Sequence, residues 1–383
     1  MQVHFMSMDV KKGERNMAEN FFENIEKAVN KKEKEILNLK DANMKNQKGN
    51  KGIRENMDDI CEVLEAEIIN GDYGEEKKKE MLKKLRKFCS TRTNIMLVGA
   101  TGCGKSSTIN ALFGEGEVAK VGTKADPETK DIEKFIIGNL VLWDTPGLGD
   151  GTEIDEHHKD IIGELLEEED EDGNALIDLV LVILDGSTKD MGTSYKILNE
   201  VIIPKLENEA GRILVALNQA DIAMKTGRHW DYEKNEPDKI LVDFLEEKLQ
   251  SIKTRIKADS GIDIEPVYYC AGYKEDSGDV VYPYNLSKLL YYILNAIPPH
   301  KRVAIMENVN SDSENYEYND GDMDYGEGVK SSFMDSLDYF VEDGVDTGIE
   351  IGSAILGIPG AVAGAIIGGT LGCIRGILDG IFG

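Results

Sequence analysis

A glycine-rich turn between an apolar run and a helix-like segment restricts the fold of this chain more than any other feature. Residues 96–113 read MLVGATGCGKSSTINALF, and residues 99–106 fit the pattern G-x-x-x-x-G-K-[ST]. Glycines let the backbone bend so that successive N–H groups face one anion, and the positive end of the following helix dipole adds to the attraction. The order strand, loop, helix therefore predicts a phosphate-binding site in an α/β fold.

Each position of this loop has a predicted role. We expect Lys105 to reach the terminal phosphates of a nucleotide and the Ser106 hydroxyl to bind Mg²⁺. We expect Cys103 to fill a position for a small residue, and the alternative is a redox switch whose thiol pKa is lowered by the helix terminus. The predicted nucleotide contacts in the loop are Gly99, Ala100, Thr101, Gly102, Cys103, Gly104, Lys105, Ser106 and Ser107.

An aspartate and a glycine follow the loop about forty residues later, in LVLWDTPGLGDG. Asp144 ends an apolar run and can hold Mg²⁺ through a water, while the N–H of Gly147 can contact the γ-phosphate. The intervening VGTKADPETKDIEKF offers Thr123 and Thr129 as a threonine that closes over the metal and this phosphate. We favour Thr129 because it directly precedes the strand predicted near Ile132, although both threonines could instead lie in a mobile loop without this role. The predicted metal ligands are Ser106, Thr129 and Asp144, and the predicted catalytic residues are Lys105, Thr129 and Gly147.

The segment RILVALNQAD predicts which base accompanies the phosphates. The carboxylate of Asp221 can accept hydrogen bonds from the ring N–H and the exocyclic amine of guanine, a pair of donors that adenine does not present. Asn218 would fix the loop and the purine, and Gln219 stands where a lysine is usual and would cover the face of the base. Cys270 and Ala271, in YYCAG, end a strand where a backbone N–H could meet the guanine carbonyl.

Short apolar runs alternate with helical segments between residues 91 and 303. The runs are IMLVG, FIIGNLVLWD, LIDLVLVILD, RILVALN and PVYYCAG. Continuous apolar strands that alternate with helices indicate a mostly parallel sheet covered by helices on both faces. Helical spacing of Leu241, Leu245, Leu249, Ile252 and Ile256 predicts one helix, and residues 286–296 predict another that Pro298 stops.

The flanks of this domain differ from it in composition. Residues 1–90 are polar, yet a helical face is predicted from Ile53, Met57, Ile60, Leu64 and Ile68, and a second short helix from Met81, Leu82, Leu85 and Phe88. Residues 304–330 are rich in acidic side chains and predict a flexible linker.

Residues 331–383 predict a glycine-rich helical hairpin. Residues 351–374 carry no charged side chain over 24 positions, and glycine recurs at every fourth position from Gly360 to Gly380. Such a stripe lets two helices approach closely, as in membranes. Seven glycines and Pro359 weaken insertion as a single helix, so a membrane-associated hairpin and a hairpin packed in water on the N-terminal helices both remain open.

Composition limits the partners and the compartment. A formal charge of −28 disfavours direct binding to nucleic acid phosphates or to anionic lipids. The five cysteines follow no metal-ligand spacing and are expected to be free thiols, and the first twenty residues lack the apolar core of a secretion signal. We expect a cytoplasmic protein, with peripheral or integral contact at the inner face of the membrane as a further expectation.

The motifs GATGCGKSS, DTPGLGD and NQAD, together with the segment HWDYEKNEP, resemble those of the translation-factor-like class of GTPases. The similarity is greatest to the Era-like bacterial group that includes the YfjP and YeeP proteins, and it covers about residues 91–303. The resemblance implies a Ras-like fold, binding of GTP and GDP with Mg²⁺, and hydrolysis of GTP by a switch protein. The flanking regions show no such resemblance.

Two positions depart from the relatives and bear on turnover. Leu148 follows Gly147, where Ras-type enzymes have a glutamine that orients water, and Gly102 stands where potassium-stimulated relatives have asparagine. The resemblance therefore implies slow hydrolysis unless a partner or a second copy of the chain completes the site. His157 and His158 could position water, but we expect both to be solvated helix residues.

Three functions remain open from the sequence. The first is a GTP-hydrolysing switch coupled to the N-terminal helices and to the apolar C-terminal segment. The second is an assembly module in which GTP stabilises a homodimer or oligomer and hydrolysis is incidental. The third is an effector in which residues 351–374 act on a membrane and the α/β domain controls them.

Overall fold

The structure is a computed structural model that describes residues 65, 69, 74–114, 119–121, 132–145, 152–170, 173–188, 192–206, 209–224, 229–274, 280–333, 335 and 381. Its strands are β1 (Thr93–Gly99), β2 (Ala119–Val121), β3 (Glu133–Ile137), β4 (Leu140–Asp144), β5 (Leu179–Asp185), β6 (Ile213–Asn218), β7 (Trp230–Asp231), β8 (Glu236–Pro237), β9 (Val267–Tyr268), β10 (Tyr273–Lys274) and β11 (Val280–Val281). Its helices are α1 (Glu75–Ser90), α2 (Lys105–Phe113), α3 (Thr152–Glu167), α4 (Gly192–Ile197), α5 (Ile203–Leu206), α6 (Lys239–Ser260), α7 (Leu286–Ala296) and α8 (Val303–Met306).

Seven strands form one central sheet in the order β2-β3-β4-β1-β5-β6-β9. Strand β1 runs parallel to β4 and β5, and β6 runs parallel to β5 and β9. Among the described strands of this sheet, only β3 runs antiparallel to its neighbours, β2 and β4. The predicted mostly parallel α/β fold is therefore confirmed. The single apolar run FIIGNLVLWD contains two strands, β3 and β4, because the chain turns at Gly138, which has a φ of 56°.

Side chains of the sheet alternate between two cores, one on each face. Ile95 and Leu97 of β1 pack into a cluster with residues of α2 and α7, and Met96 and Val98 pack into a second cluster with residues of α3 and α6. Strand residues point to opposite faces in turn, so an unbroken apolar strand needs cover on both sides. Helices on both faces provide that cover, as predicted.

The two helices predicted after β6 are confirmed. Helix α6 buries Leu241, Leu245, Leu249, Ile252 and Ile256, which are the residues that the helical spacing selects. Helix α7 ends two residues before Pro298, which lacks an N–H to continue the helical ladder.

A π-helical turn, Leu198–Ile202, joins α4 to α5. The N–H of Ile203 donates to Leu198 O across this turn. Pro204 lies one residue later and has no N–H for an α-helical bond to Glu200, which accounts for a change of helical register at this point. Glu200 projects to α3, where it forms an ion pair of 2.7 Å with Lys159.

Residues 304–333, from α8 onward, pack onto the domain. The buried apolar residues are Ala304, Ile305, Met306, Val309, Tyr316, Tyr325, Val329 and Phe333, and all except Ala304 and Tyr325 belong to the core shared with α2 and α7. The flexible linker predicted over residues 304–330 is therefore wrong. Acidic composition concealed the anchors, because these apolar side chains are widely spaced between charged residues.

One buried ion pair fixes the acidic part of this segment. Lys288 of α7 lies 2.6 Å from Asp320, and the two side chains are 11% and 9% exposed. Asp320 also accepts hydrogen bonds from Asn285 at 3.1 Å and from the Tyr325 hydroxyl at 3.0 Å. Burial lowers the pKa of Lys288, but the bond to Asp320 and its charge outweigh burial, so the pKa is raised overall.

The same segment caps the C-terminal end of α2. Asn310 donates to Leu112 O from its backbone N–H at 2.7 Å and to Ala111 O from its side chain at 3.1 Å. The Tyr316 hydroxyl donates to Leu112 O at 3.2 Å. Carbonyls in the last turn of a helix have no partner within it, so these donors satisfy groups that α2 leaves unpaired.

The N-terminal region is described in part. Helix α1 confirms the short helix predicted around Leu82, whereas the face from Ile53 to Ile68 lies almost entirely outside the described residues.

Cys89 is disulfide-bonded, so the expectation of a free thiol is wrong there, and Cys103 and Cys270 are free.

Residues 351–374 also lie outside the described residues. Within the part of the chain that the structure describes, none of the helices is both long and apolar enough to span a bilayer.

Replacing Lys288 tests whether the acidic segment is docked. Lys288→Met leaves Asp320 buried without its cation, and we expect the free energy of unfolding to fall by about 3 kcal/mol. The control is Lys239→Met, which removes an ion pair with Asp243 from a lysine that is 87% exposed and should change stability by less than about 1 kcal/mol. Urea unfolding measures both variants, and equal effects would show that the segment is not held as described.

Candidate functional site

The phosphate loop connects β1 to α2 through two glycines in the left-handed region. Gly102 has a φ of 81° and Gly104 a φ of 95°. A Cβ at Gly104 would lie 2.1 Å from Asn218 Nδ2, and one at Gly99 would lie 2.4 Å from Ile183 O. The side chain of Asn218 and the carbonyl of Ile183 therefore leave no room for a Cβ at Gly104 and Gly99. The left-handed φ is a second reason for glycine at Gly104.

Lys105, Ser106 and Asp144, which are the described members of the predicted catalytic and metal residues, lie at one edge of the sheet. Lys105 Nζ donates to Gly99 O at 3.2 Å, which keeps the ammonium folded over the loop. Ser106 Oγ lies 3.5 Å from Asp144 Oδ2, because parallel pairing of β1 with β4 sets Asp144 opposite Leu97. A hydroxyl and a carboxylate oxygen are ligands that Mg²⁺ accepts, so the two side chains fit the predicted metal.

Cys103 lies under the loop and is fully buried. Burial raises the pKa of its thiol, and the charge of Lys105 offsets this only in part. The redox alternative required a thiol pKa lowered by the helix terminus, and that alternative is wrong. Cys103 acts as a small core residue, the reading that the sequence favoured.

Asn218, at the end of β6, joins three segments of the site. Its Nδ2 donates to Cys103 O at 3.0 Å, and its Oδ1 accepts from the N–H of Ala271 at 3.0 Å. Its side chain therefore connects the phosphate loop with the loop after β9. The expected role of Asn218 in fixing the loop fits this geometry, whereas the N–H of Ala271 is already engaged within the protein.

Gln219 contacts the phosphate loop directly. It adopts a left-handed φ of 62°, and its Nε2 donates to Gly102 O at 2.9 Å. The sequence predicted that this side chain would cover the face of the base. Its amide links Gln219, two residues before Asp221, to the loop that would hold the phosphates, and its role over the base stays a prediction.

The predicted base-reading carboxylate lies in a buried turn. Asp221 is 3% exposed and its Oδ1 accepts a hydrogen bond from Cys270 Sγ at 2.8 Å. Burial, followed by the charge of Asp221, raises the pKa of Cys270, which keeps the thiol protonated as a donor. A hydrogen bond to one of its oxygens fixes the orientation of this buried carboxylate.

Sequence reasoning missed the turn at Gly186, which bonds the backbone of Asn218. The N–H of Gly186 donates to Asn218 O at 2.7 Å, and a Cβ at Gly186 would lie 2.5 Å from that oxygen. Lys248 of α6 donates to Gly186 O, and to Thr188 O at 2.8 Å. Burial lowers the pKa of Lys248, and the charge of nearby Asp185 offsets this only in part. The dipeptide Asp185-Gly186 at the end of a buried strand was the available signal for this turn.

Several predicted residues are not brought to the site by the described structure. Thr123, Thr129, Gly147 and Leu148 lie outside the described residues, so the roles assigned to them stay predictions. His157 is exposed, as predicted. His158 is 7% exposed, and its Nδ1 has no hydrogen-bond partner among the described residues, so the expectation of a solvated side chain is wrong for it.

The amino-acid sequence of this region matches a known family. Residues 94–219 match the family described as 50S ribosome-binding GTPase, over about a third of the chain. The matched region runs from β1 through the phosphate loop and Asp144 to Gln219, and it carries a P-loop GTPase domain. The match supports GTP binding and hydrolysis in general, with Mg²⁺ as the metal that accompanies the nucleotide. The comparison with curated proteins found no match.

The comparison with solved structures found G domains that are similar to part of this chain at low sequence identity. Toc33 from Arabidopsis thaliana, in complex with GDP and Mg²⁺, is 21% identical, covers 61% of this chain and 93% of its own, and has a TM-score of 0.36. The G domain of the T. maritima FeoB iron transporter is 19% identical and covers 54% and 98%, with a TM-score of 0.30. Era from Aquifex aeolicus is 20% identical and covers 54% and 57%, with a TM-score of 0.31. At such identities and TM-scores, these similarities support no conclusion about fold or function.

Alanine at each of two glycines separates backbone strain from close packing. Gly102→Ala adds a Cβ that meets nothing within 4 Å, and strain in the left-handed region should lower the free energy of unfolding by about 1 kcal/mol. Gly104→Ala adds the collision with Asn218 and should cost about 2 kcal/mol more. Urea unfolding without nucleotide measures both, and equal losses would contradict the packing described for Gly104.

Proposed function

We propose that the chain binds GTP with Mg²⁺ and hydrolyses it to GDP and phosphate. The observation that carries this proposal is the direct bonding of a base-reading turn to a phosphate loop. Asn218 and Gln219, which precede Asp221 by three and two residues, each donate a hydrogen bond to a carbonyl of the phosphate loop. A ligand that contacts both loops must carry a base and phosphates within one molecule, which is what a nucleotide provides.

Guanine selectivity is assigned to Asp221. Its carboxylate accepts hydrogen bonds, and guanine presents two adjacent donors where adenine presents an acceptor and a differently placed amine. A site with a buried polar group rejects a ligand that leaves the group unpaired. The turn that contains Gly186 is bonded by Lys248 and holds Asn218, three residues before Asp221, in place.

Binding of the phosphates and metal is assigned to α2 and its loop. The N–H groups at the start of α2 and the ammonium of Lys105 would face the phosphate oxygens, where they stabilise negative charge. Ser106 and Asp144 would hold Mg²⁺, which neutralises charge on the phosphate oxygens when bound. The assigned roles of Thr129 and Gly147, to close over the γ-phosphate, rest on the sequence.

Turnover is proposed to be slow in an isolated molecule. Leu148 follows Gly147 and has no group that could orient an attacking water, unlike the glutamine of Ras-type enzymes. A partner or a second copy of the chain would then complete the site. Within the GTPases, the proposal assigns the chain to the Era-like group with the YfjP and YeeP proteins, because its motifs resemble theirs, and assigns it the role of a switch coupled to self-assembly or to a membrane.

Two further functions share the nucleotide site. In one, bound GTP stabilises an assembly and turnover is incidental. In the other, residues 351–374 act on a membrane under control of the G domain, an idea that rests on their 24 uncharged positions and regular glycines.

The affinities for GTP and ATP, each with Mg²⁺, test the base assignment. Calorimetry of the full chain should show GTP binding at least about 100-fold more tightly, since a buried unpaired carboxylate opposes adenine. Asp221→Asn keeps the size of the side chain but removes its charge and replaces one acceptor oxygen with a donor NH2 group, and should reduce the preference for GTP to about tenfold or less. Equal affinity of the unaltered chain for GTP and ATP would refute the guanine assignment.

Phosphate release distinguishes a switch completed by self-association from the alternatives. The rate per molecule is measured at rising protein concentration, with and without liposomes. We expect the rate to rise with concentration, by about tenfold or more if a second copy supplies a catalytic group. A rate that stays constant with protein concentration and rises only with liposomes would favour the membrane-controlled function. If no phosphate is released under any condition, the result would favour the assembly module, in which GTP is bound without turnover.

A further inference from the structure

A buried hydrogen bond joins the loop of the predicted base site to the phosphate helix. The hydroxyl of Tyr269, which directly follows β9, lies 2.6 Å from Oγ1 of Thr108 in the first turn of α2. Both residues are fully buried. Burial raises the pKa of Tyr269 far above its ordinary value, so its hydroxyl stays protonated.

The other contacts of Thr108 determine the direction of this bond. Thr108 Oγ1 also lies 2.8 Å from Gly104 O, and a carbonyl oxygen can only accept. The single hydroxyl proton of Thr108 is therefore used for Gly104. Tyr269 must then donate to Thr108, and the two bonds run in one direction from the loop after β9 to the phosphate loop.

The bonds from Tyr269 to Thr108 and from Thr108 to Gly104 form a relay, which ends at a peptide group of the phosphate loop. Gly104 O accepts from Oγ1 of Thr108 and also from its backbone N–H at 2.9 Å. A planar trans peptide fixes its N–H when its carbonyl is fixed. The relay therefore holds the first peptide of α2, Gly104 to Lys105, where the helix presents its unpaired N–H groups to an anion.

The start of the relay lies in the base site. Tyr269 O accepts from the N–H of Ala220 at 3.2 Å, and Ala220 immediately precedes Asp221. Cys270, the next residue after Tyr269, donates to Asp221 itself. A displacement of the base-reading turn is thus transmitted to Tyr269 through its backbone on both sides.

We propose that Tyr269 is a positioning residue that couples recognition of the base to binding of the phosphates. The inference rests on the proposed function, because it assumes a guanine nucleotide at this site. The bond to Thr108 lets an occupied base site hold the Gly104 peptide in the conformation that binds phosphate. Guanosine, which lacks phosphates, gains nothing from this coupling, whereas GDP does.

Affinities for GDP and guanosine test the coupling in the full chain. Tyr269→Phe removes only the hydroxyl, and should weaken GDP about tenfold while guanosine changes less than about twofold. Thr108→Val should reproduce this loss, and Thr108→Ser, which keeps the hydroxyl, should restore binding. The double variant Tyr269→Phe/Thr108→Val should lose no more than Thr108→Val alone, because the Tyr269 hydroxyl acts only through that of Thr108.

The neighbouring tyrosine supplies a matched control. Tyr268 is equally buried but faces the other core, so Tyr268→Phe makes the same chemical change away from α2. It should leave the ratio of GDP to guanosine affinity unchanged. Urea unfolding of each variant, with the ratio compared only among folded chains, separates coupling from loss of fold.

Two results would overturn the inference. Tyr269→Phe could weaken GDP and guanosine equally, which would indicate a structural role, or it could bind GDP as the unaltered chain does. Failure of the unaltered chain to bind GDP would instead remove the proposed function, so the two failures are distinguishable.

Discussion

The side-chain amide of Asn218 is the interaction on which the site depends. Its donor bonds the phosphate loop and its acceptor bonds the loop after β9. Parallel strands β1, β5, β6 and β9 end at the same edge of the sheet, so the loops that follow them are neighbours. Being neighbours does not by itself fix the distance between the phosphate loop and the loop after β9. One buried amide with both groups satisfied sets that distance, and an unsatisfied partner would be costly at a buried position.

The phosphate helix is held at both of its ends. Thr108 and Tyr269 act near its first turn, whereas Asn310 and Tyr316 bond the carbonyls of its last turn. Residues 304–333 therefore form part of the domain and bear on the same helix that would bind phosphate. A connection of this kind gives the C-terminal region a physical route to the nucleotide site, because α2 contacts both.

Most of the fold and the order of the motifs could be predicted from sequence, for a physical reason. Unbroken apolar strands and glycines in tight loops are local patterns, and Gly104 and α6 are as expected. Packing between distant residues leaves no such pattern. The burial of Tyr316, the direction in which Gln219 points and the relay from Tyr269 depend on which segments the fold brings together.

The central claim is that one ligand occupies the phosphate loop and the base loop together. Hydrogen exchange of the full chain, with Mg²⁺ and with or without GDP, tests it most directly. We expect slower exchange in peptides covering residues 99–107, 215–221 and 267–272, appearing at the same GDP concentration. Protection confined to residues 99–107 would mean that only phosphates are bound, and would contradict the account.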